Sequence, residues 1–273
     1  MLPSPFIYGK VRMVCQTIPQ IDSFLSKSVP IAVPAPIALQ PVVAANGVNH
    51  WFGSGHLTTQ VLYEIDLKVY PGEFVILTGP SGSGKSTLLS LVGCLRSVQD
   101  GSLRLLGQEL KDATKEQRVQ MRRNFGYITQ SSNLLSFLTA QQNVEVALEI
   151  YPELSAQVRY EKSIEILTAV GLAEHVDAYP KHLSGGQRQR VAIASALVHQ
   201  PKLILADEPT AALDSVSGRN VVSLMRQLAS EQGSAVMMVT HDHRILDIAD
   251  RIINVEDGRL SQPSTPPALA LVS

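Results

Sequence analysis

Five short stretches carry residue types that can act on one phosphate-bearing ligand. In GPSGSGKST, the residues Gly79, Pro80, Ser81, Gly82, Ser83, Gly84, Lys85, Ser86 and Thr87 fit G-x-x-x-x-G-K-[ST]. Glycines let the backbone wrap phosphates, and amides at the following helix start point at negative charge. Lys85 then reaches the β- and γ-phosphates, and the Ser86 hydroxyl ligates Mg²⁺. LILADEP ends an apolar run on Asp207, placed to hold Mg²⁺ directly or through water, and on Glu208, placed to polarise an attacking water. MMVTHDH ends another apolar run before His241, which can contact the γ-phosphate and hold that water in line. His243 has no such support and reads as a surface residue. Gln130 closes FGYITQ, where its amide can touch Mg²⁺ or the water. Finally, Ser184, Gly185, Gly186 and Gln187 open HLSGGQRQRVAIASAL, and a helix N-terminus of this kind is a second anion site.

The elements that position these residues follow from periodicity. VLYEIDLKVY alternates over a strand length, and GEFVILTG is an apolar run stopped by glycine, as a buried strand would be. KSTLLSLVGCL reads as the helix after it, and GSLRLLG and FGYITQ as further strands. From Ser132 to Ala178 the pattern is helical, in TAQQNVEVALEI and RYEKSIEILTAVGL. Strand signals return at KLILADEP, SAVMMVTHD and RIINVEDGRL, with helices at 215–232 and at RILDIAD. Strands alternating with helices predict a mostly parallel sheet, which places Asp207 and Glu208 at the carboxyl edge where open α/β sheets bind ligands. The expected organisation is an α/β domain over 46–261 with a helical insertion at about 131–190. It is flanked by a flexible proline-rich extension (1–45) and a flexible tail (262–273).

Two phosphate-reading elements in one chain of 273 residues need an explanation. Both face the same open side, so one chain cannot clamp a single γ-phosphate between them. A head-to-tail homodimer can, with the phosphate loop of one copy facing Ser184 and Gly186 of the other. The γ-phosphate is then the switch that holds the pair closed. Asp214, in AALD, opens a helix. It reads both as an N-cap and as a nucleotide contact.

The bulk composition excludes several classes. A formal net charge of -1 gives no basic field for nucleic acid. Cys15 and Cys94 make neither a metal spacing nor a disulfide framework, and the default compartment is reducing cytosol. No stretch is long and apolar enough to span a bilayer. VPIAVPAPIALQPVVAA is short and carries three prolines.

Together these motifs resemble the nucleotide-binding subunits of ABC transporters. GPSGSGKST resembles Walker A, ITQ the Q-loop, LSGGQ the ABC signature, LILADEP Walker B with its catalytic glutamate, AALD the D-loop and THD the switch-histidine loop. The resemblance covers about 47–260. It implies a P-loop ATPase fold: a mostly parallel core sheet, an antiparallel β subdomain and an inserted helical subdomain. It also implies ATP and Mg²⁺ as ligands, and an aromatic stacked on adenine, for which HWFGSG offers Phe52 first and Trp51 second. FGYITQSSNLLSFLTAQQNV, YPKHLSGGQRQRVAIA and ADEPTAALDS resemble the lipoprotein-release and macrolide-exporter group. Within it, HDHRILDIADRI and VLYEIDL resemble the DevA ATPases of DevBCA glycolipid exporters. Those work with an integral membrane permease, a periplasmic adaptor and an outer-membrane duct, and they sit on the inner face of the cell membrane. The permease would be gripped near Ser131 to Val144, where the leucines of NLLSFL line either a covered groove or ordinary core. An importer ATPase would share every catalytic residue. Non-transport ABC ATPases usually pair two nucleotide domains or carry a long coiled coil, and this chain has one domain and no heptads. Ser195 departs from the group, standing where arginine is common.

Overall fold

The computed structural model describes residues 39–53 and 55–261. Cys15, the tail from 262 and most of the expected N-terminal extension lie outside them. Two long strands come first, β1 (Val43–Phe52) and β2 (Thr59–Val69), then β3 (Phe74–Thr78) and α1 (Lys85–Val92). β1 starts inside the stretch read as extension, because Val42, Val43 and Ala45 are buried in the core rather than solvated. β4 (Asp100–Leu105), β5 (Gln108–Glu109), α2 (Lys115–Arg122) and β6 (Phe125–Thr129) follow. The middle block holds α3 (Ala140–Glu145), α4 (Ala156–Ala169) and α5 (Gly185–Leu197). The chain then runs through β7 (Leu203–Asp207), α6 (Ser215–Gln232), β8 (Ala235–Val239), β9 (Arg251–Glu256) and β10 (Arg259–Ser261).

The central sheet has the order β10-β9-β3-β8-β7-β6, parallel throughout except for the β9–β10 hairpin. A second, antiparallel sheet has the order β2-β1-β4-β5. The period of two along the central strands separates two cores. Val75, Leu77, Leu203, Leu205, Met237 and Val239 face the antiparallel sheet and α1. Phe74, Ile76, Ile204, Ala206, Val236 and Met238 face the helices α3 to α6. Strands buried on both faces read as unbroken apolar runs, which is why KLILADEP and SAVMMVTHD are legible as strands.

Helix starts follow side-chain capping. Thr114, Thr139 and Ser184 each form a capping box with a glutamine three residues on, Ser155 caps α4 and Asp214 caps α6. One expected helix is absent. RILDIAD folds as a 3₁₀ turn over His243–Ile248 rather than an α-helix. Asp242 caps it and also pairs with Arg244, two residues on, and the chain turns extended at Ala249 to enter β9. The expected helix TAQQNVEVALEI is shorter than its pattern: α3 ends at Glu145 and a 3₁₀ turn follows over Val146–Leu148.

Candidate functional site

The site is assembled by strand register. Leu77 pairs with Val239, and Asp207 pairs with both Val239 and Thr129, so β3, β6, β7 and β8 stop along one edge. Gly79, Gln130, Glu208 and His241 therefore leave the sheet side by side. This is the carboxyl edge at which doubly wound sheets bind ligands.

The phosphate loop depends on backbone conformations that only glycine adopts freely. Gly79 has φ 134°, and a Cβ there would lie 2.0 Å from the Val255 carbonyl oxygen. Gly84 has φ 103° at the start of α1, pressed against Leu62 and Val61 of β2. The loop closes around Lys85, whose Nζ donates to Gly79 O at 2.9 Å and Pro80 O at 2.6 Å. Lys85 is 5% exposed. Burial lowers its pKa, and the nearby Glu208 and Asp207 carboxylates offset part of that effect. An ammonium held inside a ring of backbone groups is placed to meet anionic oxygens.

Two contacts join the loop to the strand ends. Ser86 Oγ donates to Asp207 Oδ1 at 3.2 Å, and His241 Nε2 lies 3.1 Å from Glu208 Oε1. Glu208 takes a left-handed φ of 49° while its N–H bonds Val239 O at 3.0 Å, so the chain turns sharply as it leaves the strand. Ser81, Gly82, Lys85, Ser86, Glu208 and His241 line one pocket. Among the described residues no cluster of three or more His, Cys, Asp or Glu forms a metal cage. A serine hydroxyl touching one carboxylate instead fits Mg²⁺, which takes one or two protein oxygens and completes its shell with phosphate oxygens and water. Gln130 stands exposed at the end of β6, on the same edge.

The Ser184 pocket is separate. Ser184 Oγ accepts the Gln187 N–H at 3.2 Å and Gln187 Oε1 accepts the Ser184 N–H at 2.8 Å. Ser184, Gly186 and Gln187 line a pocket with Arg190, Ser217 and Asn220 that shares no residue with the phosphate-loop pocket. Gly185 packs beside Leu213. Asp214 accepts the Val216 and Ser217 N–H groups, both at 3.0 Å, and the Ser217 hydroxyl first, with these backbone bonds, holds its carboxyl below the usual range. Its capping role is thus explicit. His243 is exposed, as expected.

Phe52 ends β1, half-buried, with His50 edge-on at 5.1 Å and the Arg96 guanidinium 4.5 Å above the ring. Trp51 is held by its backbone, which exchanges hydrogen bonds with the Gln99 side chain at 2.7 and 3.2 Å. Sequence reasoning passed over Arg96, Gln99 and Asn143. Asn143 bonds Leu135 N, Leu135 O, Leu138 O and Thr139 O at 2.7 to 3.1 Å, and so holds the loop that follows Gln130. Its polar amide at a buried position of α3, beside Ala140 and Val144, was the available signal. Ser195, standing where arginine is common, donates to Asn143 O at 3.4 Å.

Comparison with known proteins agrees with this geometry. The family model described as ABC transporter matches residues 62–211, more than half of the chain. The macrolide export ATP-binding/permease protein MacB of Azoarcus sp. (strain BH72) is 42% identical over 221 residues, 81% of this chain and 33% of that protein. MacB of Escherichia coli (strain K12) is 41% identical over 236 residues, 86% of this chain and 36% of that protein. The chain thus spans about a third of the length of these relatives. Among solved structures, the dimeric bacterial ABC transporter cassette MJ0796 is 36% identical with a TM-score of 0.74, covering 82% of this chain and 98% of its own. The fold is also that of cbiO1 from Clostridium perfringens, at 24% identity, a TM-score of 0.76, and 84% and 90% coverage. The loop that wraps Lys85, the Glu208–His241 contact and the separate Ser184 pocket lie on one cassette fold, and the chain belongs to the ABC transporter family as an ATP-binding, ATP-hydrolysing cassette.

Proposed function

We propose that two copies of this chain close head-to-tail on two MgATP and drive a separate membrane permease that exports an amphiphile, with a glycolipid as the finer reading. The observation that carries the dimer is the split site: the phosphate-loop pocket and the Ser184 pocket share no residue. The export assignment is supported by relatives that are macrolide export ATP-binding/permease proteins. A periplasmic adaptor and an outer-membrane duct complete the path, and the chain sits on the inner face of the membrane through the permease. Among the described residues no helix is long and apolar enough to cross a membrane itself.

In each site the Gly79–Thr87 loop and Lys85 hold the phosphates, and Phe52 (or Trp51) stacks on the adenine. Ser86, Asp207 and Gln130 hold Mg²⁺, which when bound neutralises charge on the β- and γ-phosphates. Ser184 with Gly185 and Gly186 of the partner copy closes over the γ-phosphate, next to Gln187 and Asp214. Glu208 accepts a proton from water, and His241, 3.1 Å from it, fixes that carboxylate and the in-line approach. The exposed side chains of Leu135 and Phe137 lie in the stretch offered to the permease.

Two measurements test the reading. Glu208→Gln is expected to double in mass on MgATP in light scattering, because binding survives while hydrolysis stops. Capture of the chain from detergent-solubilised native membranes should bring down a permease and an adaptor. A permease with a soluble binding protein would replace export by import. A Glu208→Gln chain that stays monomeric on MgATP would remove the split-site mechanism.

A further inference from the structure

Gln189 lies a little over one turn beyond Ser184 on α5, facing inward, 2% exposed. Its amide reaches out of the helix to the end of β6. Oε1 accepts the Ser132 hydroxyl at 2.6 Å, and Nε2 donates to Thr129 O at a longer 3.4 Å. These two residues bracket Gln130. The amide orientation follows from its partners, since the reverse would set oxygen against the Thr129 carbonyl.

The bracketed turn is not relaxed. Ser132 takes a left-handed backbone with a φ of 60°, which is costly for a serine, and Asn133 follows it at 47°. The Thr129 hydroxyl beside it is buried with no hydrogen-bond partner, a loss that a shifted turn can recover. Further along, the loop hangs from the same helix through Asn143 and the Ser195 hydroxyl. The turn holding Gln130 and the helix carrying Ser184 are therefore tied by a short, partly buried hydrogen bond.

We infer that Gln189 is a positioning residue that couples the two ATP sites. It links Gln130, which faces the nucleotide of its own copy, to the helix whose N-terminus meets the nucleotide of the other copy. This rests on the head-to-tail reading above. Drawing Gln130 toward a bound nucleotide moves the 129–133 turn. Gln189 transmits that movement to α5, and Ser184 advances on the opposite γ-phosphate. Coupling of this kind is reciprocal, so closure at Ser184 also sets Gln130.

The test is steady-state ATP hydrolysis by the full chain carrying Gln189→Met, which keeps length and apolar volume and removes both bonds. Nucleotide affinity at the Lys85 loop, read with a fluorescent ATP analogue, and the thermal midpoint should stay at wild-type values. The maximal rate should fall about tenfold, within the usual range of coupling between sites, and the Hill coefficient should drop toward that of independent sites. Ser132→Ala should reproduce this, and the double variant should be no worse than either single one, since both remove the same bond. Should Gln189→Met fail to fold, Ser132→Ala carries the test. Wild-type cooperativity in the folded variants, a lowered midpoint with cooperativity kept, or rate losses that multiply in the double variant would overturn the inference. Glu208→Gln separates the levels: if it dimerises on MgATP while the Gln189 variant keeps cooperativity, only the coupling fails.

Discussion

Gly79 carries a constraint that no side chain can relieve. Its φ of 134° and the Val255 carbonyl oxygen, 2.0 Å from where a Cβ would stand, both exclude alanine. Gly79→Ala is expected to cost at least ~2 kcal/mol of stability and to abolish nucleotide binding, as denaturant unfolding and nucleotide titration would show. Phe52 offers a milder case. With Arg96 on one ring face, the other is left for the proposed adenine, and Phe52→Ala should then weaken ATP binding by ~1–3 kcal/mol, the usual worth of a base stacked on an aromatic ring. A titration in which Trp51→Ala weakens binding and Phe52→Ala does not would reassign the stacking residue. At this scale the sequence was legible wherever chemistry demands a residue type at a fixed spacing. The Gly79 to Thr87 loop and the Asp207–Glu208 pair are such places. It was silent on Arg96 and Gln189, because each acts through a partner far along the chain. Nothing in the neighbourhood of Gln189 points to Ser132, 57 positions away.

α5 opens on a serine with two separable duties. Its hydroxyl caps the helix by accepting from Gln187, and in the proposed closed dimer it would face a phosphate. Ser184→Ala should lose ~1 kcal/mol of stability together with ATP-driven dimerisation. Ser184→Asp keeps a good cap but sets negative charge against the γ-phosphate, so its thermal midpoint should hold while dimerisation fails. A midpoint and a dimer both retained in Ser184→Asp would exclude the phosphate contact. α6 is fastened by Arg226, which donates to both oxygens of Asp250 at 2.6 and 2.7 Å, while Asp250 Oδ2 also accepts the Phe74 N–H. Burial works to raise the Asp250 pKa, but the bonds from Arg226 and Phe74 outweigh it and hold the carboxyl below its usual range. The stability from this ionisation is therefore present above the ordinary aspartate value of about 3.9 and lost as pH falls through the lower folded value. Asp250→Asn should cost about 1 kcal/mol near neutral pH, discounted for its partial exposure, and the gap should close in acid. Element types were legible where apolar runs end in glycine or a cap. RILDIAD misled because its apolar spacing is also satisfied by a 3₁₀ turn with one buried contact, Ile245.

On the whole molecule, the apolar surface is uneven. Phe137 is 70% exposed and Leu135 40%, with Val146 and Ile150 also exposed in the same helical block. A scattered apolar side chain needs no explanation, whereas several in one block suit a covered face. Phe137→Asp should leave the midpoint and the isolated ATPase rate within error and abolish permease-stimulated hydrolysis. An unchanged stimulation would move the docking face elsewhere. The strand order carries a different consequence, for the making of the protein. β3, which presents the phosphate loop, lies between β8 and β9, and Phe74 bonds Asp250 across 176 positions. A ribosome adding ~10 residues per second leaves β3 without neighbours for on the order of fifteen seconds. Such distant pairing folds late and exposes an apolar strand meanwhile. A nascent chain halted before β8 holds every residue of its phosphate loop and no frame to shape it. Truncated products of this gene are thus expected to be ligand-blind clients of chaperones and proteases, not partial ATPases.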